Sequence, residues 1–177
     1  DAWTWEHMAL TRARPVFGSA KARKALQAVL DAELDQPRDA AKLVADAAKM
    51  RADMDAHKPS QGPLDAKLGA GNLVDLEFAV HVTQLRHRAG FDPHLATAIS
   101  QLVENGLVPA EMHDAHRLLT RLLVTARLVA PDLQVPSDAT QALLARACGQ
   151  PDWESLLAAL DAVRQSVSAL WHRVSGD

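Results

Sequence analysis

Apolar residues return at steps of three and four along most of this chain, which is the spacing of one helix face. The strict alternation that a half-buried strand needs is almost absent. The clearest run is the last: Trp153, Leu156, Leu157, Leu160, Val163, Val167, Leu170, Trp171 and Val174 form one stripe, with Glu154, Asp161, Arg164 and Gln165 on a face expected to be wet. The pattern predicts helices over about 2–13, 19–34, 38–57, 73–89, 94–104, 109–129, 138–147 and 152–174. The breaks between them carry turn chemistry: Pro15 and Gly18, Gly90 and Pro93, Gly106, the stretch APDLQVPS, and CGQP. The largest break is KPSQGPLDAKLGAGN, residues 58–72, where two prolines and three glycines stop any regular element. Asn72 is a plausible N-cap for the helix that follows, and Asp75 stands where a capping box places its acid. The reading is an all-α bundle of about seven to eight helices, the first three antiparallel, with no internal repeat and no low-complexity tail.

Composition narrows the class without changing the fold. The chain has 177 residues, enough for one domain with a real core, and it is taken as a single helical domain over 1–177. It is 48% hydrophobic and 23% charged with a formal charge of −3, which points away from disorder, nucleic-acid coating and membrane-surface binding. One cysteine, Cys148, excludes an internal disulfide and a cysteine-rich zinc site. No apolar run approaches the roughly 18 to 20 residues of a membrane span, and there is no secretory pattern at the start. A cytoplasmic setting fits best. The first residue is Asp1, already inside a helical pattern, so a fragment of a longer protein is expected.

Candidate chemistry starts from LVDLEFAVHV, where Asp75 and Glu77 interrupt an otherwise apolar run. Residues two apart on a helix point about 200° from each other, so the two cannot converge on one metal or one proton. Asp75 has a local explanation as an N-terminal acid favoured by the helix dipole. Glu77 has none: it falls among Leu73, Leu76, Val80 and Gln84, and both a buried pair with an arginine and a site-facing role stand open. Arg12 and Arg14 follow Trp3 and Trp5 on a first helix expected to be covered by neighbours, so each needs a carboxylate, Glu77 or Asp75, or a phosphate. His113 and His116, like His81 and His87, are read as ordinary helical histidines, because no further ligand completes a zinc site. Phosphate-loop, dinucleotide and nucleophile-elbow motifs are absent, and Gly69 with Gly71 is a weak phosphate-loop signal. Cys148 reads as a packed small side chain.

The stretches AWTWEHMALTRARPVFG, MRADMDAHK and DAKLGAGNLVDLEFAVHVTQLR, in that order, resemble the C-terminal helical region of the adenylylating half of glutamine synthetase adenylyltransferase, and LWHRVSG extends the likeness to the end. The resemblance implies transfer of AMP from ATP to a tyrosine of glutamine synthetase under nitrogen-signalling regulatory proteins. The family's nucleotidyltransferase head, whose paired aspartates hold magnesium, is expected upstream of Asp1. This region then has no catalytic residue, no metal site and no cofactor of its own, while the full enzyme uses ATP and magnesium. Asn72 replaces the second glycine of the family's pair, and Ser19 stands where the family tends to have aspartate. On this reading Arg12, Arg14, Lys67, Asp75 and Glu77 face the nucleotide or the interface with the head, the helix N-terminus attracts phosphate, and Glu77 orients an arginine from beneath. The alternatives are a module that docks glutamine synthetase or a regulator without touching nucleotide, and a stand-alone helical interaction protein.

Overall fold

The computed structural model describes residues 3–176, and among them the chain forms eight helices and no strand. They are α1 (Thr4–Leu10), α2 (Ala20–Leu34), α3 (Ala40–His57), α4 (Leu73–His87), α5 (Leu95–Glu104), α6 (Met112–Val129), α7 (Asp138–Ala147) and α8 (Trp153–Ser175). The expected all-α bundle is the observed one, with the ends of elements moved by local chemistry.

The first helix stops at Leu10 and not at Ala13. Thr11 turns its hydroxyl back to the Met8 carbonyl at 2.8 Å, and Pro15 further on disfavours helical backbone at the residue before it. Arg12 and Arg14 therefore lie in the segment after α1 and not on a helix. The expected start of that helix at Ala2 lies outside the described residues. At α3 the helix begins at Ala40, because the Asp39 carboxylate accepts from the Ala41 and Lys42 N–H groups at 2.9 and 3.0 Å. Arg38, expected inside α3, instead donates to the Leu34 and Glu33 carbonyls at 3.0 and 2.7 Å and closes the end of α2. α4 ends at His87 because Arg88 turns left-handed at φ 52°.

α4 is the axis of the bundle. Eleven of its fifteen residues are buried, so it must be surrounded on nearly every side. α8 lies along it, with α3, α1, α5 and α6 completing the sheath, and α7 fills the gap between α6 and α8. The predicted stripe of α8 supplies Leu156, Leu160, Val167, Leu170 and Trp171 to the core. The Trp171 ring meets the Phe78 ring edge to face at 5.9 Å and 88°, an arrangement worth about 0.5–1.5 kcal/mol beyond the area it buries.

Two expectations about surfaces fail. Trp3 and Trp5 were expected under neighbouring helices, yet they are 71% and 52% exposed, because α1 has only seven residues and packs on the core through Met8 and Leu10. Arg164, assigned to the wet face of α8, is half-buried and bonded to the loop before α4.

Candidate functional site

The glycine-rich segment 58–72 is fixed to the bundle in spite of its composition. Asp65, buried, accepts the N–H groups of Gln61, Lys67 and Leu68 at 3.1, 3.0 and 2.9 Å, which folds the segment around one carboxylate. Arg164 of α8 fastens it from outside, donating to the Asn72 side-chain oxygen at 3.1 Å and to the Pro63 and Asp65 carbonyls at 2.9 and 3.3 Å. Gly71, at φ 74°, presses so closely on α8 that a Cβ there would lie 2.1 Å from the Arg164 carbonyl oxygen.

The start of α4 differs from the expected phosphate-attracting terminus. The Leu73 and Val74 N–H groups donate to the Ala66 and Lys67 carbonyls, both at 3.1 Å, so the loop already satisfies them. Asn72 occupies the N-cap in extended backbone, φ −96°, and makes no capping bond; its amide donates to the Leu68 carbonyl at 2.6 Å. The left-handed positions of this loop are Gly69 and Gly71, and Asn72, which replaces the second glycine of the family's pair, is not left-handed. Asp75 does reach backwards as a capping acid would, but to the Gly71 N–H, at 2.6 Å.

Asp75 is only 3% exposed and its other oxygen takes a hydrogen bond from Nε of Arg51, itself 8% exposed. Arg51 also donates to the Gly69 carbonyl at 3.3 Å and lies 3.4 Å from Asp55. The partner is thus neither Arg12 nor Arg14, as the sequence suggested, but an arginine of α3. Its helical spacing from the buried Leu43 and Ala47 is the signal that could have placed it inward.

Glu77 sits half-buried two residues further on, about half a turn round the helix. It lines a narrow cleft of about 40 Å³ with Arg12, His81, Asp92, Pro93, Leu95 and Ala98. Burial pushes its carboxyl above the ordinary value, and the charges of Arg12 and then Lys67 oppose that shift. Among the described residues no ion pair within 4.0 Å includes Glu77, Arg12, Arg14 or Lys67. All three cations are exposed. The result is one desolvated carboxylate with two uncommitted cations in electrostatic reach, on the side of α4 opposite to the Arg51–Asp75 pair.

His81, 8% exposed, forms the floor of this cleft. Gln84 donates to the Gly90 carbonyl at 2.5 Å, which turns its oxygen to His81 Nδ1 at 3.0 Å. Thr11 commits its proton to Met8 and meets the same nitrogen with a lone pair at 2.9 Å. Nδ1 therefore carries the hydrogen and Nε2 is left as an acceptor. Burial, followed by the Arg12 charge, holds the imidazole below its ordinary value against the opposing Gln84 bond, so it is neutral at neutral pH. Sequence reading treated His81 as an exposed helical histidine, and the tertiary bond from Thr11 is what it missed.

No group of three or more His, Cys, Asp or Glu among the described residues is placed to hold a metal ion. His113 and His116 instead line a hollow of about 430 Å³ with Arg117 and Arg121. Cys148 is buried, and burial raises its thiol above the ordinary value, as befits a packed side chain.

Residues 44–174 match the family model described as GlnD PII-uridylyltransferase, about three quarters of the chain. Over 99% of its length the chain is 34% identical to a bifunctional glutamine synthetase adenylyltransferase/adenylyl-removing enzyme of Rhodopseudomonas palustris (strain BisB5). It is 36% identical, over 98% of its length, to the protein of that name in Caulobacter vibrioides. A Mesorhizobium japonicum protein of the same name is 43% identical over 58% of the chain. The chain spans 19% of the length of the first two relatives.

Proposed function

The chain belongs to the GlnD PII-uridylyltransferase family of domains, and on that footing we propose that it is the helical accessory domain of an enzyme that transfers AMP from ATP to a tyrosine of glutamine synthetase. The single observation that carries this reading is the likeness along 99% of the chain to relatives named for that adenylyl transfer. It favours AMP over the UMP transfer in the family's description. Because the relatives are about five times longer than the matched region, the nucleotidyltransferase domain that holds ATP and magnesium is assigned to another part of the polypeptide. A nitrogen-signalling protein is the expected regulator. The setting is the cytoplasm, and no described helix is long and apolar enough to cross a membrane.

In this reading the residues of this chain do not react; they complete the wall of the site. Arg12 and Lys67 offer exposed positive charge without an ion pair among the described residues, as a triphosphate or its departing pyrophosphate requires. Glu77, attracted to both and half-buried beneath them, limits where they can swing. Arg14 adds a third cation on the same segment. Asp75 acts at one remove, since its pairing with Arg51 holds the loop that carries Lys67.

The test is AMP transfer from labelled ATP to glutamine synthetase by the full polypeptide, with Arg12→Ala and Lys67→Ala compared with the parent. Loss of one transition-state charge contact predicts a fall of about ten-fold in kcat/KM for each, with binding of glutamine synthetase unchanged. Unaltered transfer with weakened glutamine synthetase binding would make this face a docking surface instead. Transfer of UMP from UTP, with none of AMP from ATP, would overturn the assignment altogether.

A further inference from the structure

α2 is a helix that the bundle does not cover. Of its fifteen residues only Leu34, at the far end, is buried. That end is tied down by His7 to Glu33 at 3.0 Å and by Arg38 on the last carbonyls. From Ala20 to Val29 nothing is buried, and an isolated helix of such length is marginal in water.

The exposed side has a definite chemistry. Among the described residues, six of the ten large hydrophobics that stand exposed fall in the first 29 positions, and four of them belong to this arm: Val16 79%, Phe17 92%, Leu26 50% and Val29 64%. Ala22, Leu26 and Val29 lie within an arc of about 60° on one side of the helix, and Lys21 and Arg23 flank that strip at about 100° on either side. Between Glu6 and Asp31 the chain carries Arg12, Arg14, Lys21, Arg23 and Lys24 without one carboxylate, although the whole has a formal charge of −3. The arm is thus both apolar and locally basic.

We propose that α2, with the Val16–Phe17 tip, docks on an acidic protein face bearing an apolar recess, supplied by the remainder of the longer polypeptide. The charge selects an acidic face and the strip requires apolar contact. A nucleic-acid backbone offers nothing to Leu26 and Val29. A strip of one alanine, one leucine and one valine is too narrow to hold a helix at a lipid surface. The source follows from length: 99% of this chain answers to 19% of its relatives, so most of the surface available to such an arm lies within the same molecule. This inference rests on the accessory-domain reading above and deepens it by naming the element that joins the domain to its neighbour.

The test places photoreactive benzoylphenylalanine at position 17, and separately at position 29, of the full polypeptide. The expected adducts run within one molecule, from both positions, to a segment rich in aspartate and glutamate outside the region matched here. Amides of residues 20–29 should exchange at least about ten-fold more slowly than in the Leu26→Asp, Val29→Asp double variant, with α4 and α8 unchanged. Adducts between two copies, adducts to glutamine synthetase alone, protection only on anionic vesicles, or no adduct would each overturn the proposal. AMP transfer that persists without the adduct would sink the docking alone, whereas UMP transfer in place of AMP transfer would sink the reading beneath it.

Discussion

The two carboxylates at the start of α4 differ in what surrounds them, and that decides what each substitution does. Asp75 and Arg51 are both nearly inaccessible and bonded to each other, so removing Arg51 leaves Asp75 buried without a cation, and removing Asp75 leaves Arg51 only the exposed Asp55 at 3.4 Å. Asp75→Asn or Arg51→Met should therefore lower stability by about 3–5 kcal/mol, read as a shift in urea midpoint. Glu77 should behave in the opposite sense. Its folded carboxyl is raised above the ordinary value, so the folded chain binds that proton more tightly than the unfolded chain. Stability from this group is complete below the ordinary carboxylate value and is lost as pH rises through the raised one. Glu77→Gln should remove that dependence: at neutral pH the variant is at least as stable as the parent, and its advantage disappears in acid. An advantage that grew on acidification would refute the sign. That an acid inside an apolar run needs a reason was legible from the residues themselves. Which cation answers it was not, because Arg51 lies 24 positions away and only the packing of α3 against α4 brings it to Asp75.

At the scale of elements, the loop 58–72 and α8 form one mechanical unit, although about ninety residues separate them in sequence. Gly71→Ala must carry a Cβ at φ 74° and drive it to 2.1 Å from a helix carbonyl, so it should cost more than about 2 kcal/mol. Gly69→Ala meets side chains and no backbone, the nearest being the Ser60 Cβ at 3.2 Å and the Asn72 amide nitrogen at 3.4 Å, and carries the left-handed cost of about 1–2 kcal/mol. Arg164→Met keeps the stem of the side chain but deletes three bonds to the loop, and amide exchange at Lys67 and Leu68 should rise while the middle of α8 stays protected. Equal exchange in parent and variant would show that Asp65 alone folds the loop. The helices themselves were readable because their apolar spacing is strong and proline or glycine punctuates nearly every break. Their ends were less so: Asp39, Thr11 and Arg88 each moved a boundary by two or three residues through one or two local hydrogen bonds or one left-handed turn. Arg164 was misplaced for another reason, since periodicity marks the face opposite a stripe as polar and cannot tell solvent from a polar loop packed over it.

For the whole molecule, the burial of α4 on nearly every side makes a single cooperative unit the expected behaviour, with α2 outside it. Five helices meet α4, and the deepest side chains, Leu76 of α4, Leu119 of α6, Leu156 of α8, Ile99 of α5 and Leu144 of α7 among them, lie within one continuous core. No subset of these helices can leave without exposing the face of another, so intermediates that lack α8 or α6 are disfavoured. The tryptophans allow this to be measured, because Trp171 is 8% exposed against the Phe78 ring while Trp3 and Trp5 are mostly in water. In a variant carrying Trp3→Phe, Trp5→Phe and Trp153→Phe, the remaining emission reports the α4–α8 contact alone. Its urea midpoint should coincide with that of helical ellipticity, apart from a shallow early loss matching the length of α2. Two separated midpoints of comparable amplitude would divide the chain into independent units, and the wall we propose from Arg12, Lys67 and Glu77 would then lose the rigid backing that the proposed function requires of it.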